Sequence, residues 1–311
     1  MRLVTRADFD GLACAVLLSE IGLMDNWLFV HPKDVQDGKY PGNPDDIVAN
    51  VPYIPGCGYW FDHHASEDYR LAPGIDYRGM SMQAPSCARI IWEFFGGAEA
   101  YGTKYDEMLH FVDKVDSGNL SLNEVLHPEG WVLMGFIMDP RTGLAHYRYF
   151  NISNYQLMED MIGYIKTMHV NQVLEQADVA ERVERYFMQE KHFKHMLLEN
   201  IITIDNVIVL DMRHLDTIPP GNRFTMYSLF PECNISIQAL WGKKKQNTVF
   251  SVGYSILNRT SQVDVGRLML KYGGGGHTQV GTCQVPNYMA DDVLQELINE
   301  LRDHGSVAAA S

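Results

Sequence analysis

The sequence lacks any apolar run near the roughly 20 residues that a membrane-spanning helix needs, so we expect no membrane partner. Its five cysteines lie far apart and form no CxxC pair. This spacing argues against a zinc site or a disulfide framework and is typical of a reducing compartment. Two acids occur within the first ten residues, so we expect no signal peptide and a cytoplasmic location.

Positive charge is also scarce. Lysine and arginine total 25 against 39 acidic residues, which gives a formal net charge of -14. Such a surface repels long nucleic acids, because their affinity comes mainly from basic side chains that neutralise phosphates. We therefore expect no long nucleic acid as a partner. Any phosphate ligand must be held by a metal ion or by a few well-placed arginines and histidines.

The length of 311 residues indicates roughly two domains. Strand-like and helix-like segments alternate through the first 65 residues, which predicts an α/β fold with a mostly parallel sheet flanked by helices. Residues 154–199 are helical in composition, and we expect two long helices there. A second, smaller α/β pattern follows. The sequence thus predicts domains at 1–198 and 199–311 with a cleft between them.

Ionisable and polar side chains follow the predicted strands of the first domain. They are Asp8 and Asp10, Asn50, and the triplet Asp62-His63-His64; a further acid, Asp116, ends a predicted helix. Ligands of parallel sheets bind at the carboxyl ends of the strands, and carboxylates with imidazole suit manganese or a similar divalent ion. Each acid alone has a plainer interpretation as a surface turn, but the convergence of the strand ends and the Asp62-His63-His64 triplet favour a metal site.

The most unusual segment is a run of four glycines, Gly273, Gly274, Gly275 and Gly276, followed by His277. Four glycines cost much backbone entropy on folding. Such a run is typical of main chain that approaches a ligand closely and offers its N–H groups to an anion. The alternative is a flexible linker. We expect a phosphate-binding loop, with His277 as an additional donor.

This ordered set of motifs resembles the DHH phosphoesterase family with its associated C-terminal domain, over nearly the whole chain. The resemblance implies Mn²⁺ ligands at Asp8, Asp10, His63 and Asp116, and a phosphate contact from His64. It also implies that Arg259, the four glycines and His277 hold the rest of the substrate. Family members act on short oligoribonucleotides, phosphoadenosine phosphate, cyclic dinucleotides, single-stranded DNA or inorganic polyphosphate.

Two positions depart from the family pattern. Val4 stands where many members have a metal-binding histidine, and Asn50 stands where the family has an aspartate that bridges two metals. We keep Asn50 as a weakened metal ligand and leave open whether one or two ions bind. Arg6 shares a strand face with Asp8, so it either neutralises substrate phosphate in place of the missing cation or is a plain salt-bridge partner.

The sequence therefore predicts a hydrolase, a metal-dependent phosphoesterase that uses Mn²⁺ or another divalent cation such as Mg²⁺. We expect a small phosphorylated substrate, namely a short oligonucleotide, a nucleotide or polyphosphate. His64 and Arg6 are the predicted catalytic residues, while Arg141, in a turn expected to precede a strand, is a weaker phosphate candidate. Two alternatives are an exopolyphosphatase or pyrophosphatase, and a degenerate nucleotide-binding protein without turnover. A homodimer is left open.

Overall fold

A computed structural model describes residues 1–64, 67, 71, 74–147 and 149–303. The chain divides into two compact units. The first unit comprises Met1–Asn119 and His127–Met188, and the second comprises Leu120–Leu126 and the chain from Gln189 onward. The first unit ends at Met188, inside one long helix and ten residues before the domain boundary predicted at 198. The predicted boundary stays a prediction. None of the described helices combines the length and the apolar character needed to cross a bilayer.

The first unit contains a five-stranded sheet in the order β2-β1-β3-β4-β5, in which every pair is parallel. Its strands are β1 (Arg2–Thr5), β2 (Asn26–Phe29), β3 (Asp46–Ala49), β4 (Tyr59–Asp62) and β5 (Gly79–Ser81). The central strands β3 and β4 are buried along their whole length. Parallel sheets covered on both faces have such continuous apolar strands. The predicted fold class is confirmed, although the short β5 was not predicted.

Helix α1 (Phe9–Glu20) follows β1 directly because the DxDG motif starts it. The Asp8 carboxylate caps the helix by accepting a hydrogen bond from the Gly11 N–H at 2.9 Å. A side chain at Gly11 would lie 2.0 Å from the Arg6 carbonyl oxygen, so only glycine fits. The motif thus fixes a tight strand-to-helix turn, and that turn positions both aspartates.

The other helices of this part of the chain are mostly short. They are α2 (Pro32–Gln36), α3 (Cys87–Phe94), α4 (Ala98–Tyr101), α5 (Asp106–Asp116), α6 (Leu122–Leu126), α7 (Gly130–Met138), α8 (Asn154–Thr167), α9 (Val170–Leu174) and α10 (Ala177–Asn200). The two long helices predicted for 154–199 are α8 and α10, but the short α9 separates them. The strand expected after Arg141 is wrong: two 3₁₀ turns, Pro140–Thr142 and Leu144–His146, stand before α8 in the described residues.

The second unit is built on a six-stranded mixed sheet in the order β10-β11-β9-β8-β7-β6. Its strands are β6 (Ile201–Ile204), β7 (Val207–Asp211), β8 (Ile235–Trp241), β9 (Thr248–Tyr254), β10 (Gly275–His277) and β11 (Val280–Val285). Within this second sheet, β7 and β8 are the only described strands that pair in parallel. Three helices accompany the sheet, α11 (Thr225–Leu229), α12 (Val265–Leu270) and α13 (Ala290–Asp303). The core lies between this sheet, α12 and α13.

Candidate functional site

The polar residues of the first unit converge where neighbouring strands end. Asp8 follows β1, Asn50 follows β3 and His63 follows β4, and these three strands are adjacent in the sheet. Asp116 comes from the end of α5. Asp8, Asp10, Asn50 and His63 are all buried, so the sheet edge holds a group of polar and ionisable side chains largely shielded from water.

Three of these side chains form a cluster that suits a metal ion. The His63 Nε2 lies 3.6 Å from Asp10 Oδ2 and 3.4 Å from Asp116 Oδ2. All three candidate ligand atoms lie within 4.8 Å of one another. We call Asp10, His63 and Asp116 the metal cluster. Its two carboxylates and one imidazole are ligand types that Mn²⁺ and similar ions accept.

The surroundings of the cluster orient its ligand atoms. The His63 Nδ1 lies 3.2 Å from the Ala84 carbonyl oxygen, and a proton on Nδ1 leaves the Nε2 lone pair directed at the acids. Asp10 accepts hydrogen bonds from the Cys87 N–H at 2.9 Å and the Ala88 N–H at 2.8 Å, at the start of α3. These contacts hold the imidazole and the carboxylate as a metal ligand requires.

Electrostatics indicate that the cluster suits a cation. Burial, together with the nearby Asp116 carboxylate, raises the pKa of Asp10 to about 7, although His63 opposes the shift. Burial lowers the pKa of His63, but Asp116, Asp10 and Asp62 outweigh it and raise that pKa overall. Buried carboxylates this close disfavour each other's charge unless a cation lies among them. The donor set therefore fits a divalent ion.

We expect metal binding to weaken as the pH falls below about 7, because Asp10 must lose its proton to become a ligand. Affinity should fall by roughly tenfold per pH unit if one proton is released. Calorimetric titrations with Mn²⁺ at pH 6 and pH 8, in buffers of different ionisation enthalpy, measure both the affinity and the released protons. An affinity that does not change between these pH values would contradict this electrostatic description.

Asp8 lies beside the cluster, with donors on both of its carboxylate oxygens. Its Oδ1 accepts hydrogen bonds from the Gly11 N–H and from the Asn50 amide at 3.0 Å. Its Oδ2 lies 3.0 Å from the Arg6 Nε. Burial raises the pKa of Asp8, and Arg6 counteracts it. Asp8 thus contacts both Arg6 and Asn50 through its carboxylate oxygens. The expected roles of Asp8 and Asn50 as metal ligands stay predictions.

His64 is oriented by Asp62, a role that the sequence analysis missed. The His64 Nδ1 lies 2.7 Å from Asp62 Oδ1, and the same oxygen accepts a hydrogen bond from the His63 N–H at 2.9 Å. Asp62 is almost fully buried, whereas the His64 side chain is 24% exposed. Asp62 therefore orients the His64 imidazole and holds the main chain of His63, and His64 remains accessible.

Arg141 also faces the acids. Its Nε donates to Asp139 Oδ1 at 2.8 Å, and its side chain is 40% exposed. Partial desolvation lowers the pKa of Arg141, but the carboxylates of Asp139, Asp8 and Asp116 outweigh it and raise that pKa overall. The sequence suggested Arg141 only weakly, because it lies far along the chain from every motif. The sequence signal that marks Arg141 is Asp139, an acid two residues earlier in the same turn, with which the arginine pairs.

The predicted substrate residues of the second unit also gather at one place. Gly275–His277 is strand β10, which pairs with β11, so this half of the segment is not the loop that we expected. Arg259 Nη1 lies 3.4 Å from the Gln279 side-chain oxygen, in the turn that joins β10 to β11. Arg259 and His277 thus lie at the same hairpin. Their roles in substrate binding stay predictions.

Part of the glycine run is explained by packing. A side chain at Gly274 would lie 2.0 Å from the Thr282 carbonyl oxygen and 2.6 Å from the Cys283 Cβ. We therefore expect Gly274→Ala to lower the free energy of unfolding by about 1–3 kcal/mol, as overpacking does. Gly163→Ala, in α8 with open space around it, should instead stabilise by about 0.5–1 kcal/mol. Urea unfolding measures both; equal effects would contradict the packing explanation.

Solved structures similar to this chain include one with high sequence identity. PggH from Vibrio cholerae, a pGpG-specific phosphodiesterase, is 45% identical, with a TM-score of 0.75 over 98% of this chain and 99% of its own. The DHH domain of a member of a ribosomal-protein family is 12% identical, with a TM-score of 0.60 over 98% of this chain and 87% of its own.

RecJ from Thermus thermophilus, in complex with Mn²⁺, is 13% identical, with a TM-score of 0.53. The alignment covers 97% of this chain but 52% of RecJ. At this identity, RecJ and the DHH domain of the ribosomal-protein family support the fold alone. No family model matches the sequence, and no curated protein matches it.

Proposed function

Because this chain belongs to the DHH family of phosphoesterases, hydrolases of phosphoester bonds, we propose that it hydrolyses the phosphodiester bond of short linear dinucleotides. The substrate type is that of PggH, a pGpG-specific phosphodiesterase 45% identical to this chain over almost the full length of both. The reaction would add water to pGpG and release two molecules of GMP. The cluster of Asp10, His63 and Asp116 is the observation that carries the proposal.

The metal in this proposal is Mn²⁺, bound by Asp10, His63 and Asp116. A divalent cation there supplies a Lewis acid that lowers the pKa of water and neutralises phosphoryl charge. The proposal keeps Asp8 alongside the ion, where Arg6, Asn50 and the Gly11 N–H contact its two oxygens. We therefore propose one ion per chain, with the Arg6 guanidinium compensating the Asp8 carboxylate.

Three cationic or polar side chains of the first unit contact the phosphate in this proposal. Arg6 and Arg141 carry fixed positive charge beside Asp8 and Asp116, where they would stabilise negative charge that develops on the phosphoryl oxygens. His64, held by Asp62 and partly exposed, would donate a hydrogen bond to the same group. Asp62 is then a positioning residue, since it acts through His64.

The second unit holds the rest of the dinucleotide in this proposal. Arg259, the glycine segment Gly273–Gly276 and His277 would contact a phosphate or a nucleoside that is not cleaved. Contacts remote from the scissile bond align the reacting group and so raise the rate. We keep the cytoplasmic location as part of this proposal, and a homodimer stays open. Gel filtration with light scattering tests the dimer.

The proposal is tested by a substrate panel with Mn²⁺ at neutral pH. The panel contains pGpG, phosphoadenosine phosphate, a cyclic dinucleotide and inorganic polyphosphate, and chromatography follows the products. We expect GMP from pGpG and no phosphate from polyphosphate. Faster release of phosphate from polyphosphate would favour the exopolyphosphatase alternative. Nucleotide binding without any turnover would favour the degenerate one.

A further inference from the structure

A concave pocket of the first unit has no part in the function described so far. It has a volume of about 320 Å³, which lies at the lower end of the range for small-molecule sites. Its wall is formed on one side by the segment after the second 3₁₀ turn and on the other by α10. We call it the aromatic pocket; its lining includes Tyr147, Tyr149, Phe150, Glu184, Arg185 and Met188.

The aromatic side chains of this pocket offer surfaces for stacking. Tyr149 is 94% exposed, which is unusual for so large an apolar ring. Tyr147 and Phe150 lie with their ring centroids 6.2 Å apart. Planar bases stack on exposed aromatic side chains, and each stacked base contributes about 1–3 kcal/mol to binding. The pocket can therefore hold a flat, aromatic ligand.

The charged side chains of the pocket differ in whether the protein already uses them. Glu181 is committed, because it accepts hydrogen bonds from Asn151 and Arg182. Glu184 forms no hydrogen bond or ion pair with any residue that the structure describes. Arg185 lies over the Tyr147 ring at 4.9 Å and has no carboxylate partner among the described residues. One carboxylate and one guanidinium thus line the pocket without a charged partner there.

The chain places this pocket close to the phosphate side of the site. Arg141 faces Asp8 and Asp116, and Tyr147 follows six residues later, across the 3₁₀ turn Leu144–His146. Six residues of chain span at most about 20 Å when fully extended, and the two 3₁₀ turns on either side of Gly143 shorten this stretch. The Arg141 side chain and a nucleotide attached to the phosphate that it contacts can together bridge such a distance.

We propose that the aromatic pocket binds a guanine base of the substrate, an inference that rests on the proposed dinucleotide hydrolysis. Guanine presents two adjacent N–H donors on one edge, which match the Glu184 carboxylate. It presents the O6 and N7 acceptors on another edge, which match the Arg185 guanidinium. Tyr149 stacks on the ring. Adenine has an amino group in place of O6, so it cannot satisfy both charged side chains.

The test measures binding and hydrolysis separately on the full chain. Calorimetry gives the affinities of wild type and Glu184→Gln for GMP and AMP, and a steady-state assay with Mn²⁺ gives kcat and KM for pGpG and pApA. Glu190→Gln is the matched control, because Glu190 lies on the same helix, is exposed and does not line the pocket. A GMP preference of at least about tenfold is expected for wild type, the effect of one lost charged hydrogen bond.

We expect Glu184→Gln to lose the preference for GMP and to raise the KM for pGpG by about tenfold, with kcat unchanged. Tyr149→Ala should weaken GMP and AMP alike, because stacking does not depend on the base. Equal affinity of wild type for GMP and AMP, or a preference that survives Glu184→Gln, would overturn the guanine pocket while leaving hydrolysis intact. If the wild-type protein prefers GMP to AMP but does not hydrolyse pGpG, the proposed function is overturned and the guanine pocket is not.

Discussion

Replacement of His63 with alanine should reduce Mn²⁺ affinity on the order of a hundredfold or more, and turnover of pGpG should fall with metal occupancy. His63 supplies the only nitrogen among the three side chains of the metal cluster, and its Nε2 lies within 3.6 Å of both acids. Without the imidazole, Asp10 and Asp116 lose the neutral ligand between them. Elemental analysis of dialysed protein measures the occupancy, and raised Mn²⁺ should restore part of the turnover.

His64→Ala provides the matched comparison. His64 is adjacent in sequence and similar in chemistry, but its Nδ1 contacts Asp62, and it does not belong to the cluster of Asp10, His63 and Asp116. We expect this variant to keep its metal and to lose roughly 10²-fold in kcat, the effect of removing one catalytic hydrogen-bonding group. Equal metal loss in both variants would contradict the assignment of His63 as a metal ligand and of His64 as a phosphate contact.

Arg6→Ala should lower kcat for pGpG by roughly 10²–10³-fold and leave metal content unchanged. This is the effect of removing one preorganised positive group from a site where negative charge develops. The Arg6 Nε lies 3.0 Å from Asp8 Oδ2, so the substitution also leaves a buried carboxylate without its cation. Arg6→Lys should recover part of the rate, because it restores the charge but not the planar guanidinium.

Arg2→Ala is the control for this variant. Arg2 is the first residue of β1, whereas Arg6 directly follows the last residue of that strand. Arg2 forms an ion pair with another buried aspartate, Asp46, at 2.7 Å. We expect it to lower stability and to leave kcat within about twofold. A second bound Mn²⁺ in Arg6→Ala with kcat preserved would mean that a metal can replace the guanidinium. Unchanged kcat with unchanged metal would make Arg6 a plain salt-bridge partner.

The fold could be predicted where side-chain patterns are strong. Strands β1, β3 and β4 have buried apolar residues at their centres. The polar residues that follow these centres predicted both the sheet and the site. Strand β5 has only three residues, Gly79–Ser81, and is half-buried, so it carries no recognisable pattern. The short helix α9 was missed for the same reason, although its capping box of His169 and Gln172 marks its start.

The candidate site was predictable only as a set of residues. Asp10, His63 and Asp116 were expected as ligands from the resemblance to the DHH family, and the structure brings their ligand atoms together. What the sequence could not give are contacts between distant segments, such as the N–H groups of Cys87 and Ala88 that hold Asp10. Contacts across 77 residues depend on how α3 packs, and no local pattern encodes that packing.

The glycine run illustrates a different limit. A run of glycines is compatible with an anion-binding loop and with tight backbone packing, because both require the absence of a side chain. At Gly274 the Thr282 carbonyl oxygen leaves no room for a Cβ, so packing accounts for this residue. The sequence cannot separate these two explanations, since the close approach is made by β11, a strand whose position is set by the tertiary fold.

The central claim is that one divalent ion, bound by Asp10, His63 and Asp116, supports hydrolysis of a dinucleotide. It is tested most directly by titrating metal-free protein with Mn²⁺ and measuring bound ions per chain and pGpG turnover in the same samples. We predict that turnover rises in proportion to the first ion bound and is complete at one ion per chain. Turnover by metal-free protein, or turnover that begins only after a second ion binds, would contradict it.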